Sequence, residues 1–180
     1  MEFKYFDIPG VVEVLPRVFG DARGAFFESF SAQRMQEAGI VGEWVQDNQS
    51  RSDRGVVRGL HFQAPPYAQA KLVRVAAGRA LDVIVDIRRD SPTYGRHQAV
   101  VLDSERYNML YVPVGFAHGF TALEDNTLFL YKCTNYYAPQ AEGGLLWNDL
   151  ALNIDWGVHN PTISAKDQVL PTLAEFNSPF

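Results

Sequence analysis

Between Lys71 and Thr134 the chain offers one short β-prone run after another, with no helical stretch among them. Residues 71–75, 80–87, 98–102, 109–112 and 127–134 are each of strand length and are separated by glycine, proline or polar turns. Short strands at this spacing predict an all-β, mainly antiparallel fold, closed or sandwiched into a barrel. The link Ala76-Ala77-Gly78-Arg79 suggests that the first two runs form a hairpin. In residues 80–87 strand alternation puts Leu81, Val83, Val85 and Ile87 on one face and Asp82, Ile84 and Asp86 on the other. Carboxylates spaced by two in this way belong to solvent or to a polar lumen.

Elsewhere the pattern is similar. Short alternations broken by Pro16, Gly20 and Gly24 predict strands and turns between Gly10 and Phe30. Ser31 can cap one short helix over roughly residues 32–38, which Gly39 ends. The stretch from Trp44 to Ser50 reads either as a loop or as a hydrogen-bonding edge, and residues 164–167 could open a last helical turn. With no repeat, linker or low-complexity tract, the 180 residues read as a single domain.

Charge and cysteine content exclude several classes. Sixteen Lys and Arg against 21 Asp and Glu leave a net charge of −5, too acidic overall for a protein that tracks a nucleic-acid backbone. The single Cys133 permits no internal disulfide and reads as a small buried hydrophobe, consistent with a reducing cytoplasm. No stretch has the length and apolarity of a membrane span or a signal peptide. Phosphate-binding loop, dinucleotide fingerprint and nucleophile elbow are all missing. Histidine, tyrosine, lysine and carboxylate on a β scaffold remain, a set suited to proton transfer. Among these, His61 stands out in the run from Gly55 to Gln63, because imidazole titrates near neutrality.

Several motifs occur together: Asp21-x-Arg23-Gly24-x-Phe26-x-Glu28, Gln46-Asp47-Asn48, Arg58-Gly59-Leu60-His61-x-Gln63, Gln69-x-Lys71-Leu72-Val73-Arg74, Ser91-Pro92-Thr93, Pro113-x-Gly115-Phe116-Ala117-His118-Gly119-Phe120, Tyr131-Lys132, Trp147-Asn148-Asp149 and Ser164-x-Lys166-Asp167. In this order they resemble the dTDP-4-dehydrorhamnose 3,5-epimerases of the cupin superfamily, over most of the chain. The resemblance implies a cupin-type double-stranded β-helix, or jelly-roll, barrel with a few short helices, a homodimer, and no metal or organic cofactor. It implies inversion of carbons 3 and 5 of dTDP-4-dehydro-6-deoxy-D-glucose to give dTDP-4-dehydro-L-rhamnose. His61 would be the base, Asp167 its orienting carboxylate, Lys71 the holder of the enolate oxygen, and Tyr131 the acid on the opposite face of the ring. Arg23, Glu28, Gln46, Asp47, Asn48, Arg58, His118, Glu142 and Lys166 would bind substrate, with Tyr137 a further contact. Asp82 would sit near the pocket and support a histidine.

The chemistry explains why these residue types are needed. Carbons 3 and 5 flank the keto carbon, so loss of either proton gives an enolate whose charge rests on one oxygen. The site then needs a base, a donor to that oxygen and an acid across the ring. Arginine and lysine among the motifs can hold a pyrophosphate despite the acidic total. Relatives on this scaffold that act at carbon 3 or carbon 5 alone are alternatives, as are a metal-dependent cupin and a non-catalytic sugar-nucleotide binding module. For the metal reading the usual His-x-His pair is missing, since the position two after His61 is Gln63. His97 and His159 fall outside the motifs and read as surface residues. A regular strand through residues 57–63 turns Arg58 away from His61; a bulge at Gly59, a short strand that starts after it, or use of Arg58 by a neighbouring subunit would each resolve this.

Overall fold

A computed structural model describes residues 1–180. The β-prone runs become thirteen strands: β1 (Glu2–Tyr5), β2 (Val12–Leu15), β3 (Val18–Asp21), β4 (Gly24–Phe27), β5 (Gln46–Ser52), β6 (Val57–Gln63), β7 (Lys71–Ala77), β8 (Arg79–Asp86), β9 (His97–Asp103), β10 (Met109–Val112), β11 (Phe116–Ala122), β12 (Thr127–Cys133) and β13 (Glu142–Gly144). Six form one antiparallel sheet in the order β1-β2-β10-β7-β12-β5, and five form a second in the order β13-β6-β11-β8-β9. From β5 onward the chain passes back and forth between the two sheets, which gives the expected jelly-roll barrel. The remaining pair, β3 and β4, is a separate hairpin whose tip carries Arg23.

One expectation is corrected. Residues 71–75 and 80–87 do not pair as a hairpin: β7 lies between β10 and β12, whereas β8 lies between β11 and β9 in the other sheet. Gly78, at φ +78°, turns the chain from one sheet into the other, and a Cβ there would come within 2.7 Å of Thr127 Oγ1. Six of the eight β8 residues are buried, so both faces of the strand need cover that a two-stranded ribbon cannot supply. Loop length proposed the pairing and burial decided otherwise.

The Trp44–Ser50 stretch resolves as the edge reading, because β5 pairs only with β12. The one α-helix, α1 (Ala32–Glu37), starts where Ser31 Oγ accepts from the Arg34 amide and ends before Gly39, which has φ +77°. Its Met35 packs on the outer face of the six-stranded sheet with Val12, Val14 and Leu72. Leu145, Leu152 and Trp156 from the C-terminal segment cover the outer face of the other sheet. No helix is long and apolar enough to cross a membrane.

Between the sheets Val73, Val75, Ile84, Leu102 and Leu110 fill one end of the barrel. Phe120 and Phe129 stack across the gap with ring centroids 3.9 Å apart. Burying each ring contributes roughly 1.5–3 kcal/mol, and the pair forms the floor on which the polar half of the barrel rests. Both carboxylates of the alternating strand point inward and are fully buried. Burial pushes the Asp86 carboxyl up, but hydrogen bonds from Arg88, Ser91 and Thr93 outweigh it and hold the pKa at about 2. The Ser-Pro-Thr motif is therefore a cradle for this carboxylate.

At Gly59 the register answers the question raised by strand alternation. Phe120 pairs with Arg58 and His118 with His61, so three steps along β6 match two along β11. That extra residue brings Arg58 to the face of His61. The bulge depends on glycine: at φ +127° a Cβ on Gly59 would lie 2.5 Å from Gly119 Cα and 2.9 Å from the His118 carbonyl oxygen. Both obstacles are backbone, so Gly59→Ala is expected to cost roughly 3 kcal/mol or more. Thermal unfolding should register this as a fall in Tm of roughly 6–12 °C, and an unchanged Tm would rule out the tight crossing.

Candidate active site

The polar half of the barrel opens as a cavity of about 340 Å³, lined from both sheets. One wall is five-stranded: β6 brings Arg58 and His61, and β11 brings His118 and Phe120. The opposite wall is six-stranded, with Lys71 from β7 and Phe129 and Tyr131 from β12. Lys166 and Asp167 close it from the C-terminal segment. His61 and Tyr131 thus stand on opposite walls of one space, a relation that sequence alone could not supply.

Asp167 begins a 3-10 turn over Asp167–Val169, and its backbone amide donates to Ser164 Oγ at 3.1 Å. Only 4% exposed, its carboxylate accepts from His61 Nε2 at 2.7 Å and from the Gly59 amide at 3.3 Å. Because a carboxylate can only accept, the imidazole carries its proton on Nε2 and leaves the Nδ1 lone pair free. Burial lowers the His61 pKa below 6.5, opposed by the hydrogen bond and charge of Asp167. Neutral imidazole, the form able to take a proton, is therefore present at pH 7. The ring side chain is 30% exposed, enough for a captured proton to exchange with solvent.

On the facing wall the Lys71 ammonium lies 5.7 Å from the Tyr131 ring centroid. Burial lowers Lys71 from its usual 10.5, against the opposing pull of Cys133, Asp82 and Glu142. Burial also raises the Tyr131 phenol above 10, so its proton stays in place until a stronger base forms beside it. A second buried pair joins His118 Nε2 to Asp82 Oδ2 at 2.8 Å, while Asp82 Oδ1 has no partner. No group of three or more His, Cys, Asp or Glu side chains is placed to hold a metal ion.

A smaller space of about 100 Å³ shares His61, Lys71 and Tyr131 with the main cavity and continues past Gln46, Asn48, Tyr137 and Glu142. Glu142 pairs with Lys166, and Arg58 Nε donates to Ser52 Oγ at 3.1 Å. Hence eleven of the fourteen residues singled out from sequence meet around two joined spaces: His61, Lys71, Tyr131, Asp167, Arg58, His118, Lys166, Gln46, Asn48, Tyr137 and Glu142. Arg23, Glu28 and Asp47 do not. Arg23 projects from the β3–β4 hairpin with its side chain 91% exposed and pairs with Asp21, and Glu28 pairs with Arg34. Asp47 faces outward from β5 and pairs with Lys132.

Polar residues given no site role from the sequence are Gln49, Ser50 and Ser164, which line the main cavity, and Gln63 and Gln69, which line its extension. Ser50 carried a usable signal, since it lies two residues beyond Asn48 on the same strand face. Its buried Oγ has no partner within the chain. Cys133 is fully buried as expected, 3.7 Å from Asn48 Nδ2.

Comparison with known proteins identifies the family. The family model described as dTDP-4-dehydrorhamnose 3,5-epimerase matches residues 5–175. The dTDP-4-dehydrorhamnose 3,5-epimerase of Shigella flexneri is 51% identical over 162 residues, covering 89% of this chain and 90% of that protein. Among solved structures, the Legionella pneumophila enzyme RmlC in complex with dTDP-4-keto-L-rhamnose superposes with a TM-score of 0.94 at 42% identity, covering 98% of this chain and 94% of that one. The Bacillus anthracis enzyme with TDP and PPi bound gives 0.93 at 42% identity, over 96% and 99%. With the family model spanning nearly the whole chain and identity reaching one residue in two, this protein belongs to the dTDP-4-dehydrorhamnose 3,5-epimerase family.

Proposed function

We propose that this protein inverts carbons 3 and 5 of dTDP-4-dehydro-6-deoxy-D-glucose, forming dTDP-4-dehydro-L-rhamnose. The observation that carries the reading is a carboxylate-bound imidazole on one wall of a cavity with a buried ammonium and a phenol on the other. His61 Nδ1 takes the proton from carbon 3 or 5, and the electron pair moves onto the carbon 4 oxygen. Lys71 stabilises that oxyanion, and Asp167 stabilises the imidazolium. Tyr131 then gives its phenolic proton to the opposite face of the same carbon and regains one from solvent. Delivery from the far wall turns proton exchange into inversion.

Arg58 and Lys166 supply positive charge for the pyrophosphate, and Gln46, Asn48, Tyr137 and Glu142 line the extension that takes the nucleoside. His118, held by Asp82, contacts the sugar. The protein works as a cytoplasmic homodimer in which Arg23, Glu28 and Asp47, outside the cavity of their own chain, serve the site of a neighbouring subunit. Supporting this is the hairpin bearing Arg23, where Phe19 and Phe26 are exposed.

Incubation with dTDP-4-dehydro-6-deoxyglucose in deuterated water tests the reading. Deuterium is expected at both carbons, with the L-configured product seen by NMR. Label at one carbon only would reassign the protein to a single-centre epimerase, and no label at all would refute catalysis.

A further inference from the structure

The segment Asn135–Ala138, which follows β12 and carries Tyr137, has no strand to pair with. Backbone groups without a ladder must find other partners, and here they find carboxamides. Gln69 Nε2 donates to the Asn135 carbonyl at 2.7 Å, and the Asn135 side chain accepts from the Tyr136 amide at 2.9 Å. Gln46 Oε1 accepts from the Tyr137 amide at 3.0 Å. Gln63 does most: its Nε2 donates to the carbonyls of Tyr136 at 3.1 Å and Tyr67 at 2.7 Å, and its Oε1 accepts from the Ala138 amide at 2.9 Å. Only 6% exposed, Gln63 grips the segment on both sides of Tyr137. It stands on β6 two residues from His61, so one strand carries both the imidazole and this grip.

We propose that Gln63 is a positioning residue, whose carboxamide preorganises the Asn135–Ala138 segment and so presents Tyr137 to the nucleoside. Tyr137 is 56% exposed at the rim, so apolar packing does little to fix it. Its backbone, held at the amides before and after the tyrosine carbonyl, is what aims the ring. Without Gln63 the segment must be ordered when ligand binds, and affinity falls by that cost. Leucine at this position keeps the bulk and removes all three hydrogen bonds. Glutamate keeps the acceptor for Ala138 but, when ionised, faces two carbonyl oxygens with no proton to give.

The inference rests on the nucleotide-sugar reading of the cavity, and its test uses dTDP itself, measured by calorimetry alongside turnover. Gln63→Leu is expected to weaken dTDP binding roughly tenfold and raise KM by a similar factor, with kcat changed less than about threefold. Gln63→Glu should show the same split, with the affinity loss smaller at pH 5 than at pH 8 as the carboxyl regains a donor. In a double-mutant cycle, Gln63→Leu should add less than about twofold once Tyr137→Ala is present. Independent, additive losses would overturn the proposal, as would equal falls in kcat and kcat/KM. If the unmodified protein does not bind dTDP, the nucleotide-sugar reading itself fails, a result distinguishable from additivity in a protein that binds. Should Gln63→Leu not fold, Gln63→Glu and its pH dependence carry the test.

Discussion

Replacement of His61 by Asn is expected to lower turnover by about 10³–10⁴ while leaving dTDP affinity within about twofold. Asparagine approximates the size of the ring and can still hydrogen-bond Asp167, but it has no lone pair basic enough to take a carbon-bound proton. Deuterium uptake at carbons 3 and 5 should vanish along with inversion, since both begin with that proton. Asp167→Asn should be milder, at roughly 10–100-fold, because the ring nitrogen keeps a hydrogen-bond partner and loses the charge that stabilises imidazolium. In the unmodified protein the acid limb of kcat/KM should fall below pH 6.5, because burial lowers the His61 pKa and the neutral base persists into mild acid. An H61N protein that exchanges label within tenfold of the original rate would remove His61 from the reaction.

Tyr131→Phe separates exchange from inversion. The substitution deletes one hydroxyl from a ring that is packed against Phe129 and lies near Lys71, so the fold and the oxyanion donor survive. His61 can still remove a proton, trade it with solvent through its exposed edge and return it to the same face. The expected result is deuterium incorporation without change of configuration. Inversion should fall by about 10²–10³, while exchange falls far less. If both fell by the same factor, Tyr131 would be acting on proton removal or binding instead of on delivery from the far wall.

The sequence carried much of the architecture, because the relevant signals are local. Short runs with period-two alternation placed β8, β9, β10 and β12 within a residue or two, and a serine cap with a glycine stop bounded α1. Pairing was less legible. A four-residue link suggested a hairpin between β7 and β8, yet each strand found two other neighbours in separate sheets, because a strand buried on both faces needs partners that lie far away in sequence. The β5 stretch was ambiguous for a related reason: its polar residues are those of an edge strand, and an edge exists only relative to a finished sheet.

The site divides along the same line. Of the four proposed catalytic groups only His61 stood out by its own chemistry, whereas Lys71, Tyr131 and Asp167 were named through the resemblance of their motifs to the epimerases. That Asp167, 106 residues from His61, is buried against its ring is a tertiary fact. So is the placement of His61 and Tyr131 on opposing sheets, and the register slip at Gly59 that turns Arg58 inward. Gln63 was read from sequence as the residue standing where a metal-binding histidine is missing; folding gave it three backbone partners and a structural task. Residue type and spacing determine which reactions a chain like this can support, because acidity and hydrogen-bonding capacity belong to the side chains themselves. Which groups meet, from which side, and in what protonation state was decided only when two sheets closed on each other, since facing, burial and distance are properties of pairs that the linear order does not contain.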